Sequence, residues 1–364
     1  RAARALAPFE EVGPLAEQLL AVWPNRARGV QARTFAEEGV RLILTEDEAL
    51  PALEGLRCRA DAVALDGFAP ARNADLWSPA VLGAIAARTA PGAPLATFTV
   101  ASAVRKGLAE AGFTAEKRPG HGRKRDRLEA IRHASPQPLA DPLGLDQALT
   151  GRNPGRVAII GAGLAGASVA SAFLARGVVP HVFESASAPA TKASGNRLGL
   201  AMPRLDGADG PMARALVEAW MAADHVYSRL GDTILRPVRV DLRSKTDTNG
   251  HKFSQLLADP PIEGLEPLDP ADPEAGLVLP GYVVRPEALV RHMLRRAEVQ
   301  TGAGIDRLEQ GKGGWRLVGE AGTCLFEADT VILAGGAELI ARFGLDWLPM
   351  TGRFGQVESF SQAD

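Results

Sequence analysis

The chain has 364 residues, which at roughly 100–200 residues per domain calls for two domains. Hydrophobic residues make up 46% and charged residues 23%, a globular balance that excludes a mostly disordered chain, and no apolar run of about 18 residues marks a membrane span. The 41 Lys and Arg stand against 43 Asp and Glu for a formal net charge of −2, which excludes a globally basic chain but leaves room for a local basic patch.

The spacing predicts a helix over 15–23, a short strand over 40–44 (VRLIL) and a second strand over 61–66 (DAVALD) that ends on an acid. A helix over 79–90, a strand over 94–100 and a helix over 101–111, stopped by Gly112, follow. Residues 113–117 and 125–131 predict a closing strand pair. Alternation of this kind argues for a parallel α/β sheet. Residues 133–155 hold Pro136, Pro138, Pro142 and Pro154 without a long apolar period, and read as a linker. Beyond it come an apolar strand over 156–160 (RVAII), a glycine turn, a helix to about 176 and a strand over 180–184. A helix over 211–230 carries Met212, Leu216, Trp220 and Met221 on one side, and 330–334 (TVILA) predicts a late buried strand. Cys58 and Cys324 are the two cysteines; they support neither a disulfide framework nor a cysteine-based zinc site, so no metal is expected and a reducing cytoplasm fits.

Gly161-Ala162-Gly163-Leu164-Ala165-Gly166 is GxGxxG, placed between a predicted strand and a predicted helix, with Glu184 closing the next strand. Gly161 permits the tight turn, Gly163 lets backbone approach a pyrophosphate, and Gly166 allows helix and sheet to pack closely. The pyrophosphate then sits on the helix N-terminus and Glu184 accepts ribose hydroxyls. The late strand ends in Ala334-Gly335-Gly336, a second backbone segment near the cofactor. Lys192-Ala193-Ser194-Gly195-Asn196 is a loop of mostly small residues that can run close to a ligand, or an ordinary turn. Together these features resemble the FAD-dependent amine oxidoreductases of the D-amino-acid oxidase type, which implies FAD contacts at Gly161, Gly163, Gly166, Glu184, Ser194, Gly195, Ala334 and Gly335.

In the first part, Asp66 ends an apolar strand and Gly67-Phe68-Ala69-Pro70 follows. Ligands of open α/β sheets bind outside the carboxyl ends of strands, so Asp66 is placed for chemistry, with a cap or turn acid as the plain alternative. Residues 117–132 hold seven Lys and Arg against Asp126 and Glu129, either a track for a phosphate backbone or a solvated basic strand pair.

The strings 61–77 (DAVALDGFAPARNADLW), 97–108 (TFTVASAVRKGL) and 111–128 (AGFTAEKRPGHGRKRDRL) resemble the methyltransferase domain of the MnmC family, the bifunctional enzymes of 5-methylaminomethyl-2-thiouridine synthesis in tRNA. GAGLAG, Glu184, KASGN and Met202-Pro203-Arg204-Leu205 resemble that family's FAD-dependent domain. The resemblance implies an α/β fold: the C-terminal part of a class I methyltransferase domain over 1–132, a linker over 133–155, and a C-terminally incomplete FAD-binding Rossmann domain over 156–364, truncated at both ends against the family. It implies FAD and S-adenosylmethionine as cofactors, although the glycine-rich donor loop does not precede the VRLIL strand, and tRNA, bound at the anticodon loop, as partner, with no membrane and no DNA. The FAD domain is implied to remove the carboxymethyl group from 5-carboxymethylaminomethyl-2-thiouridine, and the other domain to methylate the resulting amine.

An alkylammonium has no lone pair for a sulfonium methyl, so the methylation site must hold the amine neutral and oriented. Asp66 is the acceptor expected to do this, with Phe68 and Pro70 shaping the pocket, Asp47 as a contact to the methyl donor, and Arg123, Lys124 and Arg125 on the tRNA backbone. Trp77 is read as a core tryptophan rather than a stacking platform, and Arg204 as a surface arginine or a partner for the substrate carboxylate. Two other readings remain open at this point: a free amine or glycine oxidase with a degenerate fused domain, and a non-catalytic tRNA-binding remnant.

Overall fold

A computed structural model describes residues 9–23, 25–35, 39–120, 122, 125–133, 153–311 and 313–349. The described residues fall into two units, one over 28–133 and one combining those up to Ala27 with those from Asn153 onward. The first helix, α1 (Gly13–Ala21), belongs to the latter.

The unit over 28–133 begins with β1 (Gly29–Phe35) and β2 (Val40–Glu46), an antiparallel pair that forms a two-stranded sheet of its own. Next come α2 (Ala49–Gly55), β3 (Val63–Leu65), a 3₁₀ turn over Asp75–Trp77, α3 (Pro79–Ala87), β4 (Pro94–Thr97) and α4 (Ser102–Glu110). The strands β5 (Phe113–Pro119) and β6 (Asp126–Arg132) close a sheet of order β3-β4-β6-β5. The predicted closing pair is therefore present. The expected parallel sheet is corrected: β3–β4 is parallel, β4–β6 and β5–β6 are antiparallel, and the VRLIL strand lies in the separate hairpin. That hairpin was hidden because β1 buries polar residues, Gln31 and Arg33, so its alternation carries no apolar signal. Leu95, Leu128 and Phe113 on one sheet face pack with Leu82 and Ala86 of α3 and Val104 and Leu108 of α4. Each fully buried leucine contributes about 1.5–3 kcal/mol. Gly107 lets the two helices meet, since a Cβ there would stand 2.6 Å from Leu82 Cδ1.

The other unit is built on a four-stranded parallel sheet of order β13-β8-β7-β17, from β7 (Val157–Ile160), β8 (His181–Phe183), β13 (Glu298–Gln300) and β17 (Thr330–Leu333). Every residue of β7 is buried: Val157 and Ile159 enter one apolar core and Ala158 and Ile160 another, as expected of a parallel strand covered on both faces. The helix α5 (Leu164–Leu174) follows β7. The helix α6 (Pro211–Tyr227) turns Val217, Trp220 and Met221 inward; Met212, expected on that side, is 73% exposed.

A second, antiparallel sheet has the order β10-β12-β11, with β9 also paired to β12; the strands are β9 (Gly199–Ala201), β10 (Leu235–Arg243), β11 (Glu266–Asp269) and β12 (Asp272–Val284). The helix α7 (Asp247–Ala258) lies between β10 and β11 in sequence, and α8 (Pro286–Leu294) follows β12. The strands β14 (Ile305–Gly311), β15 (Gly314–Gly319) and β16 (Cys324–Ala328) form a three-stranded meander, and α9 (Glu338–Arg342) is the last described helix. No helix among the described residues is long and apolar enough to cross a membrane. The linker expected over 133–155 lies mostly outside the described residues.

Candidate functional site

Three parallel strands end side by side: β7 at Ile160, β8 at Phe183 and β17 at Leu333. The chain then continues into Gly161, Glu184 and Ala334, and these residues border a cavity of about 240 Å³. Of the cofactor residues expected from the sequence, Gly161, Gly163, Glu184, Ser194, Ala334 and Gly335 all line it, while Gly166 and Gly195 do not line it and instead approach Gly161 O and Ala190 O. This is the carboxyl end of a parallel sheet, where open α/β folds bind ligands.

Each glycine meets a different demand. Gly161 has φ +110°, and a Cβ there would stand 2.7 Å from Ala334 O, so a side chain would separate the turn after β7 from the end of β17. At Gly166 a Cβ would stand 1.9 Å from Gly161 O; its absence lets α5 pack on the turn. Gly163 is looser, with Ser194 Oγ at 3.0 Å from the same construction.

Glu184 is 9% exposed, and its carboxylate is pinned. Oε2 accepts from Ala162 N–H at 2.9 Å, and Oε1 accepts from Ala186 N–H at 2.9 Å and from Ser185 Oγ at 3.3 Å. It thus ties the glycine turn to the end of β8. Ser194 lies in a 3₁₀ turn over Ala193–Gly195, and its Oγ accepts from Leu164 N–H at 2.9 Å. It caps α5 from a distant segment, a role that local capping patterns do not reveal.

Sequence reasoning also missed an ion pair. Lys192 Nζ bonds to Glu338 Oε2, joining the segment before Ser194 to the start of α9. The hydrogen bond and charge of Lys192 hold the Glu338 carboxyl below the usual range, and Arg342 adds to this. Arg342 itself donates to Ile305 O at 3.1 Å and approaches Asp306 Oδ1 at 3.5 Å. A separation of 146 residues leaves no spacing signal for the Lys192–Glu338 pair. The cavity is thus bordered by a glycine turn, the N-terminus of α5, a fixed carboxylate and a second backbone segment, the parts that a dinucleotide requires. Arg204 is exposed and does not line it.

In the other unit, Asp66 follows β3 and is exposed; Phe68 is 75% exposed and Pro70 half-buried. Trp77 packs against the core and donates Nε1–H to Phe68 O at 2.8 Å, the core role expected for it. A Cβ on Gly67 would stand 3.3 Å from Trp77 Cζ2, so the indole supports the whole turn. Asp47 is half-buried after β2, and its Oδ1 accepts from Glu48 N–H at 2.8 Å. A recess of about 520 Å³ lies on the sheet face of Ala96, Thr114, Glu116, Glu129 and Ile131, and none of Asp47, Asp66, Phe68 and Pro70 lines it.

The basic segment is partly consumed by the fold. Arg132 is 5% exposed and donates to Ala86 O, Ala111 O and Gly112 O at 3.0–3.2 Å. Arg127 pairs with Glu129, and Arg118 with Glu116 and Glu129. Lys117 and Arg125 are exposed, and Arg123 and Lys124 lie outside the described residues.

Comparison with known proteins now adds to this geometry. Residues 156–362 match the family described as FAD dependent oxidoreductase. The chain belongs to the FAD dependent oxidoreductase family. Upstream, residues 10–133 match the family described as S-adenosyl-L-methionine-dependent methyltransferase. The two matches, in this order, carry the fold class read from the sequence. The chain is 39% identical over 353 residues to the tRNA 5-methylaminomethyl-2-thiouridine biosynthesis bifunctional protein MnmC of Maricaulis maris, covering 97% of this chain and 57% of that protein. It is 38% identical over 347 residues to the protein of the same name from a Caulobacter species, covering 92% of this chain and 55% of that protein. The chain therefore spans somewhat more than half the length of these curated relatives. Among solved structures, glycine oxidase from Geobacillus kaustophilus matches at 20% identity and a TM-score of 0.41, over 52% of this chain and 58% of that one.

Proposed function

We propose that the protein modifies the wobble uridine of tRNA in two steps. FAD-dependent removal of the carboxymethyl group from 5-carboxymethylaminomethyl-2-thiouridine leaves the 5-aminomethyl form. Methylation from S-adenosylmethionine then gives 5-methylaminomethyl-2-thiouridine. The observation that carries this reading is the succession, along one chain, of a methyltransferase match and a parallel sheet whose strand ends bring Gly161, Glu184 and Ala334 to one cavity. The names of the relatives supply the substrate.

Bound FAD supplies the two-electron oxidation of a CH–NH bond. The chain supplies the cradle. Gly161 and Gly163 give backbone access to the pyrophosphate, and the first turn of α5 adds its amides and dipole. Glu184, already fixed by two backbone amides, turns its remaining acceptor capacity to ribose hydroxyls. Gly166 and Gly195 keep the walls thin, and Ser194, Ala334 and Gly335 close the far side.

In the methylation step Asp66 accepts a hydrogen bond from the amine and holds its lone pair toward the methyl donor. Phe68 and Pro70 shape that pocket, Asp47 contacts the donor, and Arg123, Lys124 and Arg125 meet tRNA phosphates beside the anticodon loop. The reading keeps 1–132 as methyltransferase, 133–155 as linker and 156–364 as oxidoreductase, working in the cytoplasm.

The test supplies tRNA bearing 5-carboxymethylaminomethyl-2-thiouridine, together with FAD and S-adenosylmethionine, and follows the digested nucleosides by mass. The expected outcome is loss of the carboxymethyl group followed by gain of a methyl group. Asp66→Asn is expected to slow the second step about 100-fold and spare the first. Turnover of free glycine or sarcosine with the tRNA untouched would overturn the reading.

A further inference from the structure

We propose that Lys192 is the cation that pairs with the pyrophosphate of the dinucleotide, and that Glu338 competes with the cofactor for it; the inference rests on the cavity being the FAD site. The charged side chains lining the cavity are Glu184, Lys192, Glu338 and Arg342. Two acids balance two bases, so beyond the dipole of α5 a pyrophosphate entering here meets an unpartnered cation only if one base changes partner. Glu184 is held by backbone amides and a hydroxyl, and its charge is accounted for there. Arg342 is committed to Ile305 O and the Asp306 carboxylate. Lys192 is held by Glu338.

That pair is easily exchanged. Its side chains are 56% and 62% exposed, and ion pairs so exposed are weak. A pyrophosphate carries more charge than a carboxylate and forms charge-assisted hydrogen bonds with an ammonium group. Lys192 also sits in the right stretch of chain. Two residues on, Ser194 Oγ holds the first amide of α5, the helix end toward which a phosphate is drawn. Glu338 is not stranded by the exchange, because Arg342 also stabilises its ionised form from one helical turn away.

The experiment titrates flavin-free protein with FAD by fluorescence, with ADP and adenosine as displacing ligands. Lys192→Met is expected to weaken FAD and ADP about tenfold and leave adenosine unchanged, with Lys192→Arg restoring most of the loss. Glu338→Gln is expected to tighten FAD a few-fold, and that gain should vanish when Lys192 is Met. Unchanged FAD binding by Lys192→Met, equal weakening of adenosine and ADP, or weaker FAD binding by Glu338→Gln would each overturn the proposal. Failure of the wild-type protein to bind FAD would count against the cavity's assignment itself, and so against both readings. Wild-type binding with an indifferent Lys192 would count against this inference alone.

Discussion

Tyr282 shows how a single buried group ties one element to another. Its phenol donates to Asp224 Oδ1 at 2.7 Å, linking β12 to α6, and its ring lies 5.5 Å from Tyr227 and 5.9 Å from Trp220. Burial raises its pKa well above the usual tyrosine range, and the bond to Asp224 and the carboxylate's charge raise it further. Burial also raises Tyr227, so both tyrosines of the chain are shifted upward. The neutral phenol is the form that the fold favours. Its stabilisation is complete below the unfolded value near pH 10 and is lost as pH climbs through the folded value. Absorbance at about 295 nm is therefore expected to show less phenolate at pH 10 in the folded protein than after unfolding. An early rise, with a midpoint near 10, would mean that neither ring is buried as described. Tyr282→Phe is expected to cost about 1–2 kcal/mol in urea unfolding, since Asp224 loses its partner but keeps access to water.

At the scale of the element, the unit that matters is strand, turn and helix: β7, the glycines and α5. The three glycines are not equivalent. Gly166→Ala would drive a Cβ into Gly161 O, backbone against backbone, and is expected to destabilise the protein by several kcal/mol. Gly163→Ala meets the Ser194 hydroxyl at 3.0 Å, and displacing it strains the cap on Leu164 N–H, so a loss of about 1 kcal/mol, smaller than for Gly166→Ala, is expected together with weaker FAD binding. Thermal unfolding without cofactor, beside an FAD titration, separates the two; equal loss of stability in both variants would refute the distinction. This element was legible in the sequence because each part has a local signature: four apolar residues, GxGxxG, and an acid at the end of the next strand. The β12 strand was not. Gly276, Gly281, Pro273 and Pro280 read as punctuation along it. In the fold, those glycines let neighbours approach closely: a Cβ on Gly276 would stand 2.2 Å from Leu242 O, and one on Gly281 would stand 2.7 Å from Val240 Cγ2. The same limit hid the Ser194 cap and the Lys192–Glu338 pair, which are contacts between segments far apart in sequence.

Over the whole molecule, a formal charge of −2 has to be reconciled with the polyanionic partner proposed for it, and the fold decides which cations count. Counting residues in 117–132 treats seven bases as one patch. The structure divides them. Arg132 is a packing residue, with its guanidinium 5.4 Å from the Phe113 ring and bonded to three carbonyl oxygens, so Arg132→Ala is expected to cost about 2–3 kcal/mol of stability. Arg118 and Arg127 already face Glu116 and Glu129. An ion-paired arginine releases few counterions when a phosphate approaches, because its own charge is partly compensated. The salt dependence of the proposed tRNA binding should therefore rest on Lys117 and Arg125, with Arg123 and Lys124 of the same sequence segment. Arg125→Ala is expected to flatten the plot of log affinity against log salt by roughly one unit of slope, and Arg127→Ala to leave it nearly unchanged. Filter binding over a salt series reads the difference directly. Equal flattening by both variants would show that the carboxylates of Glu116 and Glu129 do not shield their partners, and that the charge count alone describes the surface.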